Sequence, residues 1–308
     1  MHEKPLVVGK AVAKKFRRRL GLGEGAYAVD GADIQIGAGE IVALVGESGS
    51  GKSTLGRLLL RLLEPTHGQV IFDGLDLASL SARAMRRLRR RMQMIFQNAS
   101  SSLDPLWRVR DQVAEPFRIH QPELGSEETA RRVRALLDEV SLGVNQLSCY
   151  PHELSRGQQQ RVMIARALAL SPEFLVADEP VSALDASVAL QVIELLQKLQ
   201  ARRRLGMLLI THDLRVARHV SQRTVVMYGG RIVEEAPSEF VFAAPMHPYT
   251  RYLLGAAETK VTLRPPRTEA ACCYAQRCRT AQKPCCESRP PMLRAGHGLV
   301  ACHLYSAS

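Results

Sequence analysis

The sequence predicts an α/β fold with a mainly parallel sheet and a helical insert. Three observations carry this. Phe174 to Ala177, Met207 to Ile210 and Thr224 to Met227 are wholly apolar or nearly so, as in strands covered on both faces. A glycine-rich turn, Gly46 to Gly51, lies between an apolar strand signal at Glu40 to Val45 and a helical pattern from Lys52 to Leu63 that stops before Pro65. Between Asp111 and Leu170 the pattern is mostly helical, which reads as an insert at about 100–170. Further strand signals fall at Gln69 to Phe72 and Met92 to Phe96. After about Glu235 the composition shifts to Pro, Cys and small residues. The expected division is therefore 1–235 as the main domain and 236–308 as a C-terminal extension.

With 308 residues and 46% apolar side chains, a substantial core can form. No run of ~18 apolar residues is present to make a bilayer-spanning helix. The first residues, Met1-His-Glu-Lys-Pro, lack the apolar stretch of a secretory signal, so the expected place is the cytosol. The net charge of +12 is concentrated at residues 14–19, 83–91 and 202–204. Such clusters suit nucleic acid, an anionic membrane surface or a plain solvated face, and charge alone does not choose among them.

Gly46, Glu47, Ser48, Gly49, Ser50, Gly51, Lys52 and Ser53 fit the pattern G-x-x-x-x-G-K-[ST], with Thr54 next on the helix. Glycines let the backbone curl so that several N–H groups point at one phosphate chain, and the following helix adds the positive end of its dipole. Lys52 is placed for the β- and γ-phosphates, and Ser53 offers a hydroxyl to Mg²⁺. A second site follows the apolar run Phe174 to Ala177, which ends in Asp178 and Glu179. Strand ends of open parallel sheets are where ligands bind. Asp178 can hold Mg²⁺ through water, and Glu179 can polarise an attacking water as general base. His212, in Thr211-His212-Asp213, ends another apolar strand and could contact the γ-phosphate and orient that water.

Leu154-Ser155-Arg156-Gly157-Gln158 then narrows the reading. It resembles the signature motif of the ABC ATPases, and the resemblance runs through nearly the whole chain. Gln97 matches that family's Q-loop, a Mg²⁺ and water contact; Asp185, in Ser182-Ala-Leu-Asp185, matches its D-loop; His212 matches its switch histidine. Tyr27 is the candidate for stacking on adenine, with Phe16 second. The resemblance implies a P-loop NTPase (RecA-like) core with an N-terminal antiparallel β part. It also implies a head-to-tail dimer in which Ser155, Gly157 and Gln158 of one chain face the ATP on the other. Arg156 departs from the family, which usually has Gly there. If that position needs positive φ, Arg is strained; otherwise only its side chain matters, and it is expected to point outward.

Residues 96–105 (FQNASSSLDP), residues 246–254 (MHPYTRYLL) and the cysteine-rich tail resemble the peptide and nickel importer branch, and more closely the second ATPase chain of its pair. That implies two transmembrane permease subunits, a second ABC ATPase, an extracytoplasmic substrate-binding protein, attachment at the cytoplasmic membrane face, and no nucleic acid partner. Six of the seven cysteines lie between Cys272 and Cys302. In the cytosol such density favours metal or redox chemistry over disulfides. No C-x-x-C pair is present, so neither a zinc ribbon nor a ferredoxin-type run fits. By resemblance Cys272, Cys278, Cys285 and Cys302 are the ligand set, for a [4Fe–4S] cluster first and zinc second, with metal-free thiols as the alternative; Cys273 and Cys286 compete by position. The expected role of a metal there is structural, because so short a tail has little core of its own. Cys149 is expected within a helix. Two other readings share the core: a soluble ABC ATPase acting on nucleic acid, and an ABC-like subunit of a phosphonate-degrading complex.

Overall fold

The computed structural model describes residues 4–16, 25–97, 102–255 and 271–305. Along the chain run β1 (Val7–Phe16), β2 (Ala26–Ile36), β3 (Ile41–Val45), α1 (Lys52–Leu59), β4 (His67–Phe72), β5 (Leu75–Asp76), α2 (Ala82–Leu88) and β6 (Met92–Ile95). Then come α3 (Val109–His120), α4 (Ser126–Glu139), α5 (Arg156–Leu168), β7 (Phe174–Asp178), α6 (Ala186–Arg203), β8 (Gly206–Thr211), α7 (Leu214–Val220), β9 (Arg223–Tyr228) and β10 (Arg231–Pro237). The last elements are α8 (Ser238–Ala243), α9 (Pro248–Leu253), α10 (Lys283–Glu287), β11 (Leu293–Ala295) and β12 (Gly298–Val300). Over the described residues these form two compact units. A helical unit is built mainly from Ser79–Leu208, and a sheet unit from Val7–Ile36, Ile41–Ala78 and the chain from Leu209 onward.

In the sheet unit, β2-β1-β4-β5 make a four-stranded sheet in which β1 pairs antiparallel with both β2 and β4. A second run has the order β11-β12-β10-β9-β3-β8, with β3 and β9 parallel from Val42↔Arg223 to Val45↔Val226. All five residues of β3 are buried, as a strand covered on both faces requires. β3 leads directly into the Gly46–Gly51 turn. In the helical unit β6 and β7 pair in parallel from Met92↔Phe174 to Ile95↔Ala177, so the chain leaves both strands at the same end. Val162, Ile164 and Leu168 of α5 and Val192, Ile193 and Leu196 of α6 fill the core of this unit. Each such side chain contributes about 1.5–3 kcal/mol on burial.

Two local expectations are corrected. α1 ends at Leu59 rather than running to Leu63. Arg61 takes the left-handed conformation at φ 49°, and its N–H bonds to Leu58 O while that of Leu62 bonds to Arg57 O. This paired closure ties off the last carbonyls of the helix, a conformation usually given to glycine. Cys149 lies outside any helix, in extended backbone after the short turn Val144–Ser148. Its carbonyl accepts the Val109 N–H at 2.9 Å, so it satisfies a free donor at the start of α3.

The extension is integrated into the sheet unit. β12 pairs antiparallel with β10 through Glu234↔Val300 and Glu235↔Leu299. Tyr249, Tyr274 and Cys278 join Val45, Val226, Val233 and Val241 in one buried cluster.

Candidate functional site

In the sheet unit the turn after β3 is built around Gly51, which caps α1 at φ 104°. A Cβ at Gly51 would lie 2.1 Å from Ala28 O, so both conformation and space demand glycine. The Ser50 N–H bonds to Glu47 O at 3.2 Å, and the Gly230 N–H to Ser50 O at 3.0 Å. Ser48 and Gly49 stand exposed at the tip, while Gly46 and Ser50 are buried. Lys52 is 5% exposed, and its Nζ donates to Gly46 O and Glu47 O, each at 2.8 Å, and to Ser50 Oγ at 3.4 Å. The ammonium is thus held inside the curl of the loop, and Ser53 and Thr54 follow, half-buried, in the first turn of α1. A concave loop with a central cation at a helix start fits a phosphate chain.

Tyr27 lies on β2 opposite Lys15, whose Nζ sits 5.0 Å from the ring centroid. Phe16 ends β1 and is exposed. Tyr27, Ser48, Gly49, Ser50, Gln276 and Arg277 line one cavity of about 500 Å³. His212 follows β8 and is exposed. Next to it, the Asp213 carboxylate accepts the Arg215 and Val216 N–H groups and caps α7. The Arg215 side chain beside Asp213 holds its pKa below the usual carboxylate value, with backbone N–H bonds adding to the effect.

Glu47 is occupied in a way its motif position does not foretell. Its N–H donates to the Tyr249 hydroxyl at 2.8 Å. Its carboxylate receives both arms of the Arg277 guanidinium, at 2.8 and 3.1 Å. Burial pushes the Tyr249 hydroxyl's pKa well above the ordinary tyrosine value.

In the helical unit Gln97 follows β6, and Asp178 ends β7. Asp178 is 2% exposed. Glu179, half-buried, takes φ 47°, an uncommon conformation for a non-glycine residue. Gln97 Nε2 donates to Glu179 Oε2 at 2.7 Å. Ser155 caps α5: its Oγ accepts the Gln158 N–H at 3.3 Å, and Gln158 Oε1 accepts the Ser155 N–H at 2.9 Å. This reciprocal box satisfies two donors at the helix start. Gly157 is buried, and a Cβ there would fall 2.5 Å from Val188 Cγ1 on α6. Arg156 lies in the first turn of α5 with negative φ, exposed, its Nη1 reaching Ala183 O at 3.4 Å. The position therefore needs no positive φ, and Arg is unstrained there. Asp185 is exposed at the N-cap of α6.

The tail cysteines lie near one another. Cys272 N–H bonds to Cys285 O at 3.0 Å, and Cys278, Cys285 and Cys302 are buried. Burial raises the Cys302 thiol's pKa to about 11, with Cys272, Cys278 and Cys285 adding to the shift. A hydrogen bond from Cys273 lowers the Cys272 thiol, and one from His247 adds to it. Among the described residues no three His, Cys, Asp or Glu side chains are arranged to hold a metal ion, so the structure gives the expected set of Cys272, Cys278, Cys285 and Cys302 no support. Nor does the tail lack a core, since Tyr274 and Cys278 are buried against the sheet unit.

The sequence reading did not assign Tyr249 or Arg277 to the site. Tyr249 stands in the segment that resembles the importer branch, and no local pattern singles out Arg277.

The sequence model described as ABC transporter matches residues 29–182. A putative peptide import ATP-binding protein of Brucella ovis is 44% identical over 96% of this chain and 97% of its own length. The oligopeptide transport ATP-binding protein AppF of Bacillus subtilis is 40% identical over 94% and 92%. Among solved structures, the dimeric post-hydrolysis state of the ATP-binding cassette MJ0796 bound to ADP and Pi superposes with a TM-score of 0.69 at 32% identity, covering 75% of this chain and 98% of that one. With the phosphate-type loop and the strand-end acids already placed, these matches establish that the chain belongs to the ABC transporter family, as an ATP-hydrolysing subunit.

Proposed function

We propose that this subunit powers a peptide importer, for dipeptides, oligopeptides or a related small cargo such as a nickel chelate. Similarity over 96% of the chain, the tail included, to a protein named for peptide import carries the cargo class. In this reading 1–235 is the nucleotide-binding domain and 236–308 an extension.

The loop from Gly46 to Thr54 binds the phosphates of ATP, with Lys52 supplying the charge and Tyr27 the face for adenine. Ser53, Gln97 and Asp178 would hold Mg²⁺, which when bound neutralises charge on the phosphates. Glu179 polarises the attacking water, and its hydrogen bond to Gln97 fixes the carboxylate's orientation. His212 contacts the γ-phosphate. Ser155, Gly157 and Gln158, at the start of α5, present N–H donors to ATP held by a second ATPase chain, and Asp185 lies at that dimer face. ATP binding energy then becomes closure energy, which moves two permease subunits fed by an extracytoplasmic binding protein.

One surface of the helical unit supports permease docking. A cavity of about 460 Å³ lined by Phe96, Ile119, His120 and Met163 opens there, and Phe96 and Ile119 are exposed. No helix among the described residues is long and apolar enough to cross a membrane, which suits peripheral attachment at the cytoplasmic face. The test is reconstitution in proteoliposomes with the permease subunits that co-purify with the chain. ATP-driven peptide uptake that stops with Glu179→Gln supports the reading. Hydrolysis with no movement of peptide, or co-purification with RNA or DNA in place of permeases, overturns it.

For the tail we propose that Cys272, Cys278, Cys285 and Cys302 take an iron–sulfur cluster, or zinc, by a rearrangement of side chains. The bond from the Cys272 N–H to Cys285 O, which brings two of the four together, supports this. Colourless, iron- and zinc-free protein from anaerobic preparation removes it and leaves packed thiols.

A further inference from the structure

The extension reaches the phosphate-type loop through two residues far away in sequence. Tyr249 is fully buried, and its hydroxyl accepts the Glu47 N–H. Arg277 ends the short turn Ala275–Arg277 and grips the Glu47 carboxylate with two hydrogen bonds. The Arg277 guanidinium is itself fixed: it lies 5.1 Å from the Tyr252 ring centroid and 6.0 Å from that of Tyr228. Tyr274, which precedes this turn, packs edge-on against Tyr228 at 5.1 Å. A planar, two-armed contact braced by aromatic rings has a defined geometry, unlike a loose surface pair.

The chemistry gives this contact a consequence. Glu47 places a negative charge in a loop shaped for an anion. Unneutralised, that carboxylate opposes phosphate binding; paired with Arg277, it does not. We propose that Arg277 and Tyr249 are positioning residues of the Gly46–Ser53 loop, and that through them the C-terminal extension sets the loop's affinity for nucleotide. The inference rests on the reading of that loop as the phosphate site. It makes the tail a regulator: any change that withdraws Arg277, such as rearrangement of the neighbouring cysteines, bares Glu47 and weakens nucleotide binding.

The experiment is calorimetric titration of the full-length chain with Mg²⁺-ADP, beside thermal unfolding of the nucleotide-free protein. Arg277→Ala raises Kd about threefold to tenfold, and Tyr249→Phe does so to a smaller degree. The Arg277→Ala defect shrinks in high salt. Adding Glu47→Gln to Arg277→Ala restores most of the affinity, because the bared carboxylate is gone. A purely structural tether gives the opposite result: the double variant binds no better than Arg277→Ala. That outcome overturns the proposal, as does a Kd for Arg277→Ala within about twofold of the parent. If Arg277→Ala does not fold, Arg277→Gln with and without Glu47→Gln is compared by the same criterion. Lys52→Ala tests the underlying loop assignment separately; unchanged Mg²⁺-ADP binding by that variant removes the assignment itself, whatever Arg277 does.

Discussion

Gln97 donates its side-chain N–H to Glu179 across 2.7 Å, although the two residues are 82 positions apart. The parallel pairing of β6 and β7 makes this possible, because Gln97 and Glu179 leave their strands at the same end. The bond holds a carboxylate that already has unusual backbone geometry. Glu179→Gln is expected to lower ATP turnover by ~10²–10⁴-fold while leaving nucleotide binding within a few-fold of the parent. Gln97→Ala should reduce turnover by less, since it removes an orienting group and not the base. Steady-state hydrolysis and equilibrium nucleotide binding check both.

Arg156 sits in ordinary helical backbone, exposed, with only a long bond from Nη1 to Ala183 O, so its replacement by the family's usual glycine removes little. Arg156→Gly is expected to change the ATPase rate far less than Glu179→Gln does, with a stability cost of about 0.5–1 kcal/mol for glycine in a helix. Hydrolysis rates measured side by side decide this, and a larger loss from Arg156→Gly would refute it.

Gly157 is required by space. Its missing Cβ leaves room for Val188, and any added side chain must displace the Val188 methyl or push α5 from α6. Gly157→Ala should destabilise the chain by about 1–3 kcal/mol. Combining it with Val188→Ala should recover part of that loss, which chemical denaturation of the four members of the cycle would reveal.

Asp213 caps α7, and its folded pKa lies below the ordinary 3.8. Depression of a carboxylate pKa adds stability above the unfolded value. That contribution fades as pH falls through the folded value. Asp213→Ala should therefore cost ~0.5–2 kcal/mol near neutrality. The gap to the parent should narrow once pH drops below about 4. Because Asp213 is partly exposed, added salt should also reduce its ion-pair share. Unfolding curves over a pH series test the sign.

The parts of the site legible in the sequence are those fixed by local spacing. Lys52 and Gly51 follow a strand and open a helix, and Glu179 directly follows an apolar strand, so their placement needed only neighbours in the chain. What stayed hidden depends on distant partners or on single backbone angles. The Arg277–Glu47 pair spans 230 positions and belongs to no motif. The early end of α1 turns on Arg61 adopting a conformation that residue type rarely takes. The density of the tail's cysteines suggested a metal, and the structural role expected of it assumed a tail with little core of its own; its tyrosines share the core of the sheet unit. For Arg156 the sequence left two backbone states open, and only the helix start at Ser155 chose between them.

The pairing of β12 with β10 also determines what would happen to a shortened chain. Ending the protein after Pro237 would uncover the hydrogen-bonding edge of β10, an open template for a neighbouring molecule. It would also strand Glu234, a fully buried carboxylate whose oxygens accept the N–H groups of Met246 and His247 at 2.8 Å each. A charge left in the interior without partners is strongly destabilising. The sheet unit and the extension are therefore expected to fold together, and clipping the extension would yield an aggregation-prone remnant in place of a minimal engine.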